Sequence, residues 1–127
     1  MKKREARWNT IFNQYLREKK LLGYFELKQT DKDYFPFSKL EIHQYEGLLA
    51  SEKEGFVWKL SDQDMREKPF DCLSTPPLPS YLVIKFPDGF YLIRIKDIKT
   101  LKNNNEMSIT LDKARIIAEK IIKLQLK

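Results

Sequence analysis

Apolar side chains recur at regular intervals in the first third of the chain. In residues 4–20 they lie three and four positions apart with charged residues between them, which predicts an amphipathic helix that Gly23 ends. Residues 22–29 are rich in aromatic and leucine side chains and predict a strand. A polar turn follows, and Pro36 disfavours a helix across residue 35.

The middle of the chain predicts a helix, a strand and a long connection. Ser38 and Glu41 have the spacing of a capping box, which predicts a helix that runs to about Lys53. Residues 56–60 predict a second strand. Segment 61–79 then carries four of the six prolines and is long for a connection within one domain, so we expect either a functional loop or an inserted element.

The last third predicts a hairpin and a helix. Two β-rich runs, 80–86 and 90–95, flank Pro-Asp-Gly at 87–89, a strong hairpin signal. A loop is expected at 103–105. Thr110 is the predicted cap of a final helix over 111–126, whose apolar residues form one stripe.

The resulting order, α–β–α–β–loop–β–β–α, predicts an α/β fold with a mixed sheet flanked by helices. We expect one domain over residues 1–127, because 127 residues would divide into halves too small to bury adequate cores. Within it, residues 1–97 are predicted to form the core and 98–127 a loop plus a C-terminal helix.

Composition narrows the class of protein. Eight Phe, six Tyr and two Trp argue against a disordered chain. No apolar run reaches the roughly 20 residues that a membrane helix needs, and the N-terminal residues do not have the pattern of a secretory signal. Cys72 is the single cysteine, which excludes an internal disulfide and favours a cytoplasmic location. The net charge of +6 favours polyanionic partners, and nucleic acid is the commonest of these.

Glu26 and Lys28 are the first candidates for chemistry. Residues two apart on a strand project from the same face, so the carboxylate and the ammonium would lie side by side while Phe25 and Leu27 enter the core. A carboxylate in this position can hold a hard divalent cation, and the lysine can polarise a phosphate or position water. The alternative is a solvated ion pair on a half-exposed strand.

The surrounding motifs resemble those of a nuclease superfamily. Phe-Glu-Leu-Lys-Gln-Thr at 25–30, Phe-Pro-Phe-Ser at 35–38 and His43-Gln44 follow one another in this order. This series is similar to the PD-(D/E)XK superfamily, in particular to its phage and archaeal Holliday junction resolvase-like members. The resemblance covers roughly Glu5 to Ile95, including Lys-Pro-Phe-Asp-Cys at 68–72.

This resemblance implies a restriction-endonuclease-like fold and Mg²⁺- or Mn²⁺-dependent cleavage of DNA, in particular of branched duplexes, by a homodimer in the cytoplasm of the host cell. It also implies that Glu26 ligates the metal, with a contribution from Glu5 on the first helix. The family pattern has a metal-binding Asp upstream of the Glu-x-Lys motif, and no Asp precedes Glu26 here. Asp71 is the candidate replacement and Asp62 the second; Asp71 could equally be a turn or cap residue.

Gln44 is the other predicted site residue. It lies on the same face of the predicted helix as several apolar residues, so a buried Gln44 needs a polar partner. One reading is a satisfied amide at the edge of the core; the other is a group that turns toward Glu26 and contacts a phosphate or the attacking water. His43 points about 100° away and is interpreted as a rim or structural residue.

Basic residues near this site could hold the DNA backbone without reading its sequence. Solvated surface charge is the alternative reading. The predicted contacts are Lys3, Arg4, Arg7, Lys32, Lys39, Arg66 and Lys68.

Three hypotheses follow. The first is a metal-dependent endonuclease with Glu26, Lys28, Gln44, Asp71 and Glu5 in its site. The second is a catalytically degenerate, nuclease-like phage accessory protein that binds DNA or a protein. The third is a structural interaction domain that uses the basic C-terminal helix, including as a dimer surface.

Overall fold

In the part of the chain that the structure describes, the fold consists of four α-helices, one short 3-10 helix and eight strands. The computed structural model describes residues 2–59 and 70–124, with side chains from residue 7 onward. The helices are α1 (Lys2–Lys19), α2 (Ile42–Glu54), α3 (Ile95–Asn103) and α4 (Leu111–Ile117), with a 3-10 turn at Phe37–Lys39. The strands are β1 (Tyr24–Gln29), β2 (Tyr34–Pro36), β3 (Phe56–Lys59), β4 (Cys72–Thr75), β5 (Ser80–Phe86), β6 (Gly89–Arg94), β7 (Ser108–Thr110) and β8 (Lys120–Lys123).

The main sheet has the order β1-β5-β6-β8 and is mixed. β1 runs parallel to β5, while β5–β6 and β6–β8 are antiparallel. Two small antiparallel pairs, β2–β7 and β3–β4, complete the fold. The predicted class, a single α/β domain with a mixed sheet flanked by helices, is confirmed. None of the helices described here is long and apolar enough to cross a membrane.

The main sheet is covered on both faces. One face packs against α2, α3 and α4 and contains most of the buried core, including Leu82, Ile84 and Ile93. The other face packs against α1, where Phe12 lies 5.3 Å from Phe90 between ring centroids. Because both faces of β5 are covered, every residue of that strand is buried, as is usual for strands between two helical layers.

The β5–β6 hairpin is confirmed, although its turn differs from a simple Asp-Gly turn. Phe86 pairs with Gly89, so Pro87 and Asp88 form the turn and Gly89 is the first residue of β6. A Cβ atom at position 89 would collide with the backbone oxygen of Ile122 on β8. The glycine is therefore needed for the close approach of the neighbouring strand.

Helix α3 was not predicted. The predicted strand extends to residue 95 and the next predicted loop lies at 103–105, whereas residues 95–103 form a helix. Ile95 and Ile98 are buried and Leu101 packs against the same cluster. Their spacing of three residues was a helical signal within a short, lysine-rich segment.

The predicted C-terminal helix over 111–126 is wrong, and so is the division of 98–127 into a loop and a helix. The Thr110 cap is confirmed, because its hydroxyl accepts a hydrogen bond from the Lys113 backbone N–H at 3.1 Å. The helix ends at Ile117, however, and Lys120–Lys123 pair with β6 as an edge strand. Ile121 and Ile122 continue the apolar stripe of the predicted helix. Both are β-branched, and as part of β8 they pack into the two core clusters on opposite faces of the sheet.

The long connection over 61–79 contains an inserted element. Its residues 72–75 form β4, which pairs with β3 in a hairpin separate from the main sheet. Asp62, Arg66 and Lys68, named above as candidate site residues, lie outside the residues that the structure describes.

Candidate functional site

Strand β1 is an edge of the main sheet, and its two faces differ. Tyr24, Glu26 and Lys28 lie on the face toward α2, whereas Phe25 and Leu27 pack against α1. In register, Glu26 stands beside Leu82 and Lys28 beside Ile84. The side chains of Glu26 and Lys28 are 28% and 22% exposed, so both remain accessible while their Cβ atoms stand on a buried surface. The predicted alternation along this strand is confirmed.

Gln44 lies opposite Glu26. Its side-chain Nε2 donates a hydrogen bond to Glu26 Oε2 at 3.0 Å, and its Oε1 accepts one from the Glu41 backbone N–H at 3.2 Å. The amide is therefore held at both ends, which fixes which end faces the carboxylate. The geometric part of the prediction, that Gln44 turns toward Glu26, agrees with this contact.

The helix start that holds Gln44 differs from the predicted one. Glu41 is the N-cap of α2, and Glu41 and Gln44 form the capping box. Ser38 instead lies within the 3-10 turn, where the buried Phe37 and Leu40 side chains anchor the chain. Because Leu40 is extended, α2 begins only at Ile42. Glu41 is a less favoured N-cap residue than Ser38, so the sequence indicated the earlier start.

The two neighbouring donor groups contact the same oxygen of Glu26. Lys28 Nζ lies 3.6 Å from Oε2, the same atom that accepts from Gln44. Glu26 Oε1 has no hydrogen-bond partner in the described part of the chain. The carboxylate is thus oriented through one oxygen and can offer the other to a cation or to water.

A partly buried charge network fixes the other end of α2. Glu52 Oε1 accepts from the Ser80 backbone N–H at 3.0 Å and from Arg94 Nη2 at 2.7 Å. Burial raises the pKa of Glu52, but these two donors outweigh it and leave the pKa below its ordinary value. Tyr81 donates to Glu119, and burial together with that carboxylate raises the pKa of Tyr81 to about 12. The network ties α2 to the strand beside β1 and so helps to hold Gln44 in place.

The described residues supply only part of a metal site. Within residues 7–59 and 70–124, no group of three His, Cys, Asp or Glu side chains is placed to hold an ion. Glu26 is a hard oxygen ligand of the kind Mg²⁺ prefers, and Mg²⁺ commonly takes one or two carboxylates together with substrate phosphates and water. A second protein carboxylate would have to come from elsewhere. Asp71 is exposed at the bend before β4, and its role as a ligand stays a prediction.

The other predicted residues lie around the site or outside the described side chains. His43 is 75% exposed, with Nε2 3.4 Å from Glu41 Oε2, which fits a rim residue. Lys32 and Lys39 are exposed on the loop and the 3-10 turn. The Arg7 guanidinium lies 5.6 Å from the centroid of the Trp8 ring. Nothing is described for the side chains of Lys3, Arg4 and Glu5.

The residues on the opposite side of β1 were not predicted as part of a site. A cavity of about 160 Å³ lies beside Glu26 and Lys28, and it is also lined by Trp8, Gln29 and Lys85. The sequence signal for this cavity was Lys85, a charged residue within the mostly apolar strand β5. Its significance depends on the parallel pairing that sets Gln29 beside Lys85, which no local pattern indicates.

Comparison with known proteins adds no relative. No protein-family model matches the chain, and the search of curated proteins finds no match.

Proposed function

We propose that this protein is a metal-dependent endonuclease that hydrolyses phosphodiester bonds in DNA, with branched duplexes as the preferred substrate. The observation that carries the proposal is the contact among Glu26, Lys28 and Gln44. A partly exposed carboxylate is oriented through one oxygen by an amide and an ammonium, and its other oxygen has no partner among the described residues. The preference for branched DNA comes only from the motif resemblance.

Each of the three residues has a distinct role in this proposal. Glu26 would hold Mg²⁺ or Mn²⁺, together with Asp71 and Glu5. The metal, when bound, would polarise the phosphate and favour ionisation of water. Lys28 would stabilise the charge that develops on the phosphate oxygens, and a preorganised cation is effective there because it needs no reorganisation during the reaction. Gln44 positions Glu26 through its amide.

The surface charge supports a polyanionic substrate. The chain carries a net charge of +6, and Arg7 lies near the site through its contact with Trp8. Lys32 and Lys39 would contact phosphates farther along the duplex. We expect such contacts to make binding depend strongly on salt and weakly on base sequence.

A catalytically degenerate, nuclease-like protein that binds DNA is the second candidate. The observation in its favour is the absence, in the described part of the chain, of three metal-binding side chains in one group. Such a protein would bind branched DNA in a salt-dependent manner without metal-stimulated cleavage.

The deciding experiment measures cleavage of a labelled four-way junction and of linear duplex DNA with Mg²⁺ or Mn²⁺. We expect E26Q and K28M to reduce the cleavage rate by about 100-fold or more, because each removes charge that acts on the reacting phosphate. E46Q, at an exposed position on the same helix as Gln44, is the matched control and should stay within about twofold, as expected for a surface change away from the site.

Binding of the same junction in EDTA separates the two candidates. An endonuclease cleaves in metal, and its E26Q variant still binds the junction. A degenerate protein binds the junction but shows no metal-stimulated cleavage in the wild type. Unchanged cleavage by both E26Q and K28M would show that the catalytic site lies elsewhere.

A further inference from the structure

The cavity between α1 and β1 adjoins the proposed catalytic site but is a separate feature. It has a volume of about 160 Å³ and shares Glu26 and Lys28 with that site. The remainder of its lining comes from the α1 side of the sheet, including Trp8, Gln29 and Lys85. A group bound there would lie next to a group bound at Glu26.

Two residues of this lining each carry a buried polar atom that has no hydrogen-bond partner among the described residues. The two atoms are the indole Nε1 of Trp8 and the side-chain oxygen of Gln29. A buried polar group without a partner costs about 1–3 kcal/mol, so a ligand that reaches these atoms from the cavity would recover that cost. Nε1 of Trp8 is a donor only, and it therefore requires an acceptor.

Lys85 makes the cavity cationic. The residue is only 6% exposed, and its Nζ lies 4.2 Å from the centroid of the Trp8 ring. Together with Lys28 it gives the described part of the lining two ammonium groups beside the carboxylate of Glu26. Ammonium and indole N–H groups only donate hydrogen bonds, so they favour an anionic ligand made of acceptors.

We propose that this cavity binds a phosphate group of a nucleic-acid strand, held by the Lys85 ammonium and the Trp8 indole N–H. A phosphodiester offers only acceptor oxygens and a negative charge, which matches these donors. A half-turn of the Gln29 amide would replace its buried oxygen with N–H donors and complete the set. The inference rests on the proposed function in one respect, that the strand is DNA, and it adds a second phosphate position beside the one at Glu26 and Lys28.

The test measures binding in EDTA, where cleavage does not occur. Anisotropy of a labelled junction is compared for wild type, K85M, W8F and the control K99M, which changes an exposed lysine on α3. We expect K85M and W8F each to weaken binding by about 5-fold or more, the loss of one hydrogen bond to a charged group. K99M should stay within about twofold. K85M should also lower the slope of log affinity against log salt by about one.

W8F separates binding from structure. It keeps an aromatic ring and removes a donor that has no partner in the described part of the free protein, so its thermal stability should equal or exceed that of the wild type. Weaker DNA binding at undiminished stability is the expected combination. Normal junction binding by both W8F and K85M would overturn the proposal.

A scan of the DNA identifies the phosphate. Each backbone phosphate near the branch is replaced in turn by an uncharged methylphosphonate. At one position the replacement should weaken the wild type but not K85M, because the lysine contact is already lost. Equal responses of the two proteins at every position would overturn the proposal.

Inorganic phosphate distinguishes a free anion from the DNA backbone. In a W58F background Trp8 is the only tryptophan, so its fluorescence reports on the cavity. Saturable quenching by inorganic phosphate, without a position-specific effect in the scan, would overturn the assignment to a DNA strand. Weak quenching together with a position-specific effect would support it.

The result for phosphate binding in the cavity can be distinguished from the result for nuclease activity. Wild-type DNA binding that depends on Lys85 and Trp8, with no cleavage in Mg²⁺ or Mn²⁺, would support this inference and contradict the proposed catalysis. Metal-dependent cleavage that depends on Glu26, with normal junction binding by K85M and W8F, would give the reverse result. A wild type that binds no DNA would overturn both.

Discussion

Two antiparallel hairpins in this fold have opposite environments. In β5–β6 every strand residue except Arg94 is buried. In β3–β4 all but Thr75 are exposed, among them Phe56, Val57, Trp58 and Leu73. Both hairpins contain apolar, β-favouring residues, so strand propensity does not distinguish them. What differs is the number of layers that cover each pair.

The attachment of the β3–β4 hairpin is correspondingly small. The Tyr24 hydroxyl contacts Thr75 and donates to the backbone oxygen of Pro76 at 2.8 Å. The Tyr24 and Phe56 rings lie 6.4 Å apart between centroids. An isolated two-stranded hairpin is at best marginally stable in water, so we expect β3–β4 to open locally while the main sheet stays folded.

The largest expected effect comes from truncating one apolar residue in each hairpin. Ile84 on β5 is fully buried and Val57 on β3 is 70% exposed. I84A should lower the free energy of unfolding by about 2–5 kcal/mol, because it leaves a cavity in the core. V57A should change it by less than about 0.5 kcal/mol. Urea denaturation followed by far-UV circular dichroism measures both, and similar losses would contradict the contrast.

Glycine substitutions introduce a similar collision into each hairpin. A Cβ at Gly89 would meet the backbone oxygen of Ile122, and one at Gly55 would meet that of Thr75. G89A disturbs the main sheet and should cost about 1–3 kcal/mol of global stability, as overpacking does. G55A, strained further by a φ of +82°, should leave the main urea transition close to that of the wild type.

Amide hydrogen exchange tests whether G55A disturbs only the β3–β4 hairpin. In G55A, exchange should become faster in residues 56–59 and 72–75 and stay unchanged in β5 and β6. A loss of global stability in G55A as large as that in G89A would show that the β3–β4 hairpin is part of the cooperative core.

The sequence predicts the parts of this fold that local patterns determine. Helix α1 and the β5–β6 hairpin have clear periodicity or turn signals. Strand β8 was missed because the apolar stripe of α4 continues through Ile121 and Ile122, and only the open edge of β6 makes them a strand. The pairing of β3 with β4, rather than with the main sheet, is likewise a tertiary outcome.

In the candidate site, too, one part follows from local sequence patterns and another part does not. The contact of Glu26 with Gln44 was predictable, because strand alternation and helical spacing each define a face. The cavity was not, since it needs the parallel pairing of β1 with β5 to set Gln29 beside Lys85 and the packing of α1 to add Trp8. Short-range patterns identify faces; the neighbours of those faces are decided by the whole fold.

The smallest predicted effect concerns the turn that closes β5–β6. Asp88 accepts hydrogen bonds from Lys123 Nζ at 2.7 Å and from the Tyr91 hydroxyl at 3.0 Å. Burial raises the pKa of Asp88, but these donors outweigh it and hold the pKa below its ordinary value. The folded chain therefore binds this proton less readily than the unfolded chain. The associated stability is present above about pH 4, the ordinary pKa of Asp, and is lost as the pH falls through the lowered pKa.

D88N removes this contribution, and D33N, at an exposed aspartate in the loop before β2, is the matched control. Because the Asp88 side chain is 33% exposed, solvent screening should keep the effect under about 1 kcal/mol. Urea midpoints of the wild type and of D33N should fall together below about pH 4, while the D88N curve is flatter. The slope should not vanish, because Glu52 also has a lowered pKa. An unchanged slope in D88N would mean that the turn is held by its backbone pairing alone, and the two hairpins would then differ only in the layers that cover them.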